Sequence, residues 1–159
     1  MLKYEEDSIQ ATSIKVKRFP YGITITAVYC SLRHNLKKEH FEKVFQTLGP
    51  KFIAGGDYNS KHTQWGSRLT TTKSRGLWKV IQERNYSFLS TGTPTYWSTG
   101  GNKIPDQLDF FVTKGISPTY TDVQSSCDLT SERSPIIATL STSVIVRKPT
   151  PRLHNSKTK

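Results

Sequence analysis

Phe52-Ile53-Ala54-Gly55-Gly56-Asp57-Tyr58-Asn59 is an apolar run that ends in two glycines and opens onto an acid and an amide. Such a run suits a buried strand that turns into a loop at Asp57. In extended backbone residues i and i+2 share a side, so the Asp57 carboxylate and the Asn59 amide can converge on one small volume. An acid that can move a proton, beside a neutral donor that can hold an oxyanion, suits hydrolysis. The same residues also make a good Asx turn, and the stretch alone leaves both readings open.

Upstream of this strand, Ile9, Ala11, Ile14 and Val16 alternate with polar residues, Phe19-Pro20-Tyr21-Gly22 interrupts, and ITITAVY (23–29) resumes the pattern. Two strands joined by a turn follow from it. Leu36, Phe41, Val44, Phe45 and Leu48 then fall mostly on one helical face, with Asn35 as N-cap and Gly49-Pro50 as a stop, so a helix is expected over 36–48. Downstream, Ser74 can cap a second helix carrying Leu77, Trp78, Val80 and Ile81. The rest reads as strands: YSFLS (86–90), QLDFFVT (107–113), TYTDVQSS (119–126) and PIIATLSTSVIV (135–146). Strand pairs interspersed with helices predict a layered α/β (α+β) fold. The pattern starts directly in a strand with nothing to cover its other side, which gives the expectation of an N-terminus cut short.

Composition narrows the function classes. The chain has 159 residues, 34% hydrophobic and 11% aromatic, enough for one core of ordinary size. No run is long and apolar enough to span a membrane, and the first residues lack the basic and apolar regions of an export signal, so a nuclear or cytoplasmic protein, not secreted, is expected. Cys30 and Cys127 with four scattered histidines fit neither a disulfide framework nor a zinc spacing. Lysine and arginine number 23 against 12 acids, a net charge of +11. Five of these charges lie in RKPTPRLHNSKTK (147–159), and residues 144–159 read as a basic linker or tail after a domain at 1–143. Residues 61–84 hold Lys61, Arg68, Lys73, Arg75, Lys79 and Arg84 against Glu83 alone. A patch of that kind fits nucleic acid, and equally a solvated basic face.

Two further positions carry chemistry. Asp109 interrupts the apolar Leu108-Asp109-Phe110-Phe111-Val112, where a carboxylate is costly unless paired; it could close a structural hydrogen bond or orient a catalytic group. Ser131-Glu132-Arg133-Ser134-Pro135 stands at the edge of the last strand, where functional loops sit.

In order, AVYCSLRHN (27–35), FIAGGDYNSKHTQWGSR (52–68), TGTPTYWSTGGNKIPDQLDFFVTKGI (91–116) and SCDLTSERSPIIATL (126–140) resemble the endonuclease domains of jockey-type non-LTR retrotransposons. Those domains are part of the endonuclease/exonuclease/phosphatase superfamily. The resemblance runs from about residue 8 to 140 and implies a four-layer α/β sandwich, here lacking its first strands. It implies nicking of one DNA strand with Mg²⁺ or Mn²⁺, to prime a reverse transcriptase domain of the same polyprotein. Carried over residue by residue, Asp57 matches the acid that handles a proton, and Asn59 the amide that positions the phosphate. Tyr29 matches a tyrosine lying against that phosphate, and Asp109 the aspartate that orients the catalytic histidine. Lys61, His62, Trp65 and Arg68 match a DNA-side loop, although Trp65 equally suits a core anchor. Asn102 and Lys103 match the tip of a hairpin that enters the DNA groove, braced by Thr95-Tyr96-Trp97.

The sequence departs from that pattern where the family has Ser-Asp-His-Ser-Pro. Glu132 replaces the aspartate and Arg133 the histidine. A guanidinium stays protonated and offers no acceptor, so Arg133 can stabilise phosphate charge but cannot take a proton. The family's glutamate metal ligand lies upstream of the first hairpin and has no counterpart here, leaving Glu132 as a lesser metal candidate. An impaired nuclease is therefore expected, the alternatives being a non-catalytic DNA-binding remnant or a fragment without function.

Overall fold

The alternating, capped and glycine-punctuated segments fold into a mixed α/β structure, described by a computed structural model for residues 1–6, 8–17, 22–100, 104–126 and 131–146. In chain order the elements are β1 (Leu2–Glu6), β2 (Ile9–Val16), β3 (Ile23–Cys30), α1 (Lys38–Thr47), β4 (Phe52–Asp57), α2 (Thr72–Glu83), β5 (Ser87–Leu89), β6 (Asp109–Lys114), β7 (Thr121–Ser125) and β8 (Ile136–Leu140). Short 3₁₀ turns lie at Thr63–Trp65 and Pro118–Tyr120.

Six strands form one sheet in the order β1-β2-β3-β4-β6-β5, and β7 pairs with β8 in a second. The β3–β4 pair is parallel, and the crossover that a parallel pair requires is supplied by α1. The other neighbours in the large sheet are antiparallel. Strand β1 was not expected from the sequence; it pairs with β2 from Leu2↔Ser13 to Glu6↔Ile9 and takes the sheet edge.

The α/β class holds, with a difference in layering. Both α-helices lie on one face of the large sheet, where Phe41, Val44, Phe45, Leu77, Val80 and Ile81 meet Val28, Phe52, Phe110 and Val112. On the other face β8 places Ala138 and Leu140 against Ile53 and Phe111. Among the described residues this makes three layers, where four were expected. The second sheet leaves part of this face open. Ile14 and Ile25, cross-strand partners on β2 and β3, remain exposed on that face.

Both helix caps also differ from expectation. Lys37, not Asn35, is the N-cap of α1, and its N–H donates to His40 Nδ1 at 3.1 Å. Thr71 caps α2, and Ser74, expected as the cap, is the third helical residue, completing a reciprocal box: Ser74 N–H donates to Thr71 Oγ1 and Thr71 N–H to Ser74 Oγ.

Candidate active site

The last residue of β4 and the first of β6 are both aspartates, and the register sets Asp57 directly opposite Asp109. Two glycines let β4 lie close enough. A Cβ on Gly55 would enter the Phe111 ring, and one on Gly56, at φ +145°, would collide with the Val28 carbonyl. Adjacent carboxylates on one sheet face repel each other, and both are largely buried.

Arg133 meets both. Its Nη2 is 2.6 Å from Asp57 Oδ2, and its Nη1 donates to Asp109 Oδ2 at 3.1 Å. The guanidinium also lies over the Tyr96 ring, 5.4 Å from its centroid. Burial raises the Asp57 pKa from its ordinary value; Arg133 opposes that rise, and Asp109 adds to it.

Asn59 sits beside this cluster in a left-handed conformation, φ 45°. Its backbone N–H donates to Asp57 Oδ1 at 2.8 Å, the Asx turn that the sequence allowed. The convergence occurs as well, since its side-chain amide donates to Asp57 Oδ2 at 3.0 Å and to the Cys30 carbonyl at 2.9 Å. Flipping that amide would set its oxygen against a carboxylate and a carbonyl, so the assignment is fixed by chemistry. The expectation that the amide points at a phosphate is thereby corrected: both its hydrogens are used inside the protein. Asn59 Oδ1 is buried and without a partner among the described residues.

Tyr29 is the β3 residue registered with Asp57, half exposed on the face that carries the aspartates. Glu132 points elsewhere. Its Oε1 accepts from the Thr99 N–H at 3.2 Å and the Thr99 hydroxyl at 2.5 Å, so it holds the chain at Thr99. Trp97 N–H donates to the Glu132 carbonyl, Trp97 Nε1 to Ser134 Oγ, and Ser134 N–H to the Thr95 carbonyl. These bonds tie Thr95-Tyr96-Trp97 to the 131–134 loop. Asn102 and Lys103 lie outside the described residues.

The loop expected on the DNA side divides. Lys61 faces the cleft and forms an ion pair with Asp106 at 2.9 Å; burial works against that carboxylate, but Lys61 and the Gln107 and Arg68 amides hold it below its ordinary pKa. Arg68 is exposed. Trp65 and His62 are inside. Trp65 is 1% exposed, stacks on Phe110 at 4.6 Å and donates Nε1–H to the Ser60 carbonyl. His62 packs against Trp65 and Trp78, accepts from Gln64 N–H through Nδ1, and has its pKa lowered by burial. Neither ring reaches a DNA surface, and the expected contact gives way to core packing.

Two residues that the sequence marked only as part of a brace and of a basic patch set this geometry. Thr95 is fully buried, and its Oγ1 accepts from the Leu108 and Asp109 N–H groups, fixing the start of β6. Lys73, in the first turn of α2, is 8% exposed and lines the same cleft as Arg133. A cation in the first turn of a helix, where acids are the rule, was the available signal.

The residues present do not fit the divalent cation that the resemblance implies. Both aspartates are committed to Arg133 and Glu132 to Thr99, and the described residues contain no cluster of three or more His, Cys, Asp or Glu able to hold a metal.

Comparison with known proteins agrees with this architecture. Residues 23–137 match the family described as Endonuclease-reverse transcriptase, and the chain belongs to that family. It is 37% identical over 140 residues to the RNA-directed DNA polymerase from mobile element jockey of Drosophila funebris, covering 88% of this chain and 15% of that protein. The Drosophila melanogaster counterpart is 40% identical over 118 residues, covering 74% of this chain and 13% of that one. The chain thus spans about one seventh of the length of these relatives. Its fold is similar to the solved endonuclease domain of TRAS1, a telomere-specific non-LTR retrotransposon, with a TM-score of 0.73 and 21% identity, covering 87% of this chain and 67% of that one.

Proposed function

We propose that this member of the endonuclease–reverse transcriptase family is a DNA-binding endonuclease domain of a jockey-type element in which phosphodiester cleavage is impaired by Arg133. The observation that carries this reading is the guanidinium held between Asp57 and Asp109. Hydrolysis of a phosphodiester needs a group that takes a proton from the attacking water and fixed positive charge for the phosphate oxygens. Asp57 is the candidate base. Its Oδ1 already accepts the Asn59 N–H, and its Oδ2 meets both Arg133 and the Asn59 amide, so the Arg133 ion pair competes with water for the carboxylate. Arg133 cannot replace it, since it has only donors. What it offers is a planar fork that suits a phosphate oxygen pair.

The chain thereby retains the binding half of the chemistry and loses much of the proton-transfer half. Loss of a positioned acid/base group costs about 10² to 10⁴ in rate. DNA is the proposed substrate, contacted by Arg133, Lys61, Arg68 and the basic residues after 147, with Tyr29 against the phosphate. An RNA-directed DNA polymerase in the same polypeptide is the proposed partner, to which a nick would supply a priming 3′ hydroxyl.

The test is nicking of supercoiled plasmid in Mg²⁺ or Mn²⁺ by the wild type and by Glu132→Asp/Arg133→His, each made within the full-length polymerase of its element. The double variant is expected to nick at least about 100-fold faster. Equal rates would overturn the assignment of Arg133 as the impairing residue.

A further inference from the structure

A cleft of about 620 Å³ opens beside Arg133, between the loop after β3 and the N-terminus of α2. Arg33, Lys61, Lys73 and Arg133 line it with Thr71 and Thr72, and none of the described lining residues is an acid. Three features of Lys73 are costly in the free protein. The residue is 8% exposed, yet its ammonium donates to the Ser31 carbonyl at 2.8 Å and has no carboxylate within ion-pair distance among the described residues. An apolar side chain would fill that space without desolvating a charge. Lys73 also stands in the first turn of a 12-residue helix, at the positive end of the helix dipole, with Arg75 in the next position but one and no acid in that turn. The N–H groups of Thr72 and Lys73 have no intrahelical acceptor, as in any first turn.

We infer that this cleft is a second phosphate subsite, in which Lys73, Arg33 and the α2 N-terminus hold the DNA backbone phosphate next to the one at Arg133. The subsite rests on the DNA reading above and deepens it. An anion there reverses each cost at once: it gives the buried ammonium a counter-charge, accepts from the free helix N–H groups and opposes the dipole. Lys61 is a lesser contributor, because Asp106 already neutralises it.

The experiment is fluorescence anisotropy of a labelled DNA duplex at several salt concentrations, with wild type, Lys73→Met, Arg33→Ala and Lys79→Gln. Lys79 is an exposed residue on the same helix outside the cleft, so its variant removes equal formal charge. Lys73→Met and Arg33→Ala are each expected to weaken binding about tenfold and to lower the salt slope by about one phosphate equivalent, with Lys79→Gln close to wild type. Losses no greater than that of Lys79→Gln would overturn the subsite. A second arm compares thermal melts in inorganic phosphate and in chloride at matched ionic strength. If the wild type fails to bind duplex, the DNA reading falls, and a phosphate-specific rise in Tm that Arg33→Ala and Lys73→Met lose would still support the subsite; equal rises would sink it. Should Lys73→Met not fold, Arg33→Ala decides by the same two readouts.

Discussion

Asp57 and Asp109 face each other across the β4–β6 ladder, and the Arg133 guanidinium spans both at 2.6 and 3.1 Å. Two like charges placed opposite on one sheet face are held there by a cation from a loop 24 residues beyond β6's first residue. Stability and chemistry of this centre therefore vary together.

Asp57→Asn removes a carboxylate whose ionised form the fold disfavours. Its folded pKa is raised above the unfolded value, so the native state binds more protons between the two and the wild type loses stability as pH rises through that window. The Asn variant is expected to melt higher than wild type at pH 7, and the gap should close as pH falls below the ordinary carboxylate range. Melting curves from pH 3 to 8 check this; a gap that widens at low pH contradicts it.

Arg133→Gln leaves the two aspartates to repel without their shared cation. The Arg133 side chain is 39% exposed, so the loss is expected at about 1–2 kcal/mol near neutral pH, below the roughly 3–5 kcal/mol of a fully buried pair. Denaturant unfolding at pH 7 and pH 4 measures it, with a smaller loss at pH 4, where protonation of Asp57, its pKa raised by burial, relieves the repulsion.

Thr95→Val keeps shape and deletes one oxygen. Two buried N–H groups, of Leu108 and Asp109, lose their acceptor, at a cost of about 1–3 kcal/mol each where unsatisfied. Because the same bonds fix the first residue of β6, Asp109 should lose its register with Asp57. Hydrogen exchange at the Leu108 and Asp109 amides is expected to quicken, with Thr95→Ser restoring protection.

Trp65→Ala should act on the fold alone. Truncating a buried tryptophan costs about 3–5 kcal/mol, and the indole N–H bond to Ser60 goes with it. The salt slope of DNA binding, measured below the variant's Tm, should stay at the wild-type value. A slope lower by about one would instead assign Trp65's loop to phosphate contact.

Much of this was legible in the sequence because the governing patterns are local. The alternation of β2 and β3, the apolar face of α1 and the glycine-ended run at 52–56 each need only a few neighbouring residues to be read. Asp57 and Asn59 stood out at the end of an apolar run, Asp109 as a charge inside one, and Arg133 as a departure from the motif that the resemblance implies. The missed strand β1 lacks a clean apolar alternation, and its place comes from pairing with β2. His62 and Trp65 read as loop residues on a DNA side because nothing within their loop shows that Phe110 and Trp78 close over them.

The sequence by itself determined the α/β class and the family, and set Arg133 where the resemblance expects a histidine, since each follows from residue type and order. Only the tertiary structure decided what Arg133 meets there. The Arg133 salt bridges to Asp57 and Asp109, the use of the Asn59 amide inside the protein, and the convergence of Lys73 with Arg33 all join residues distant in the chain. Strand register and helix placement bring them together, and in a buried setting proximity sets which charges are satisfied and which still need a partner.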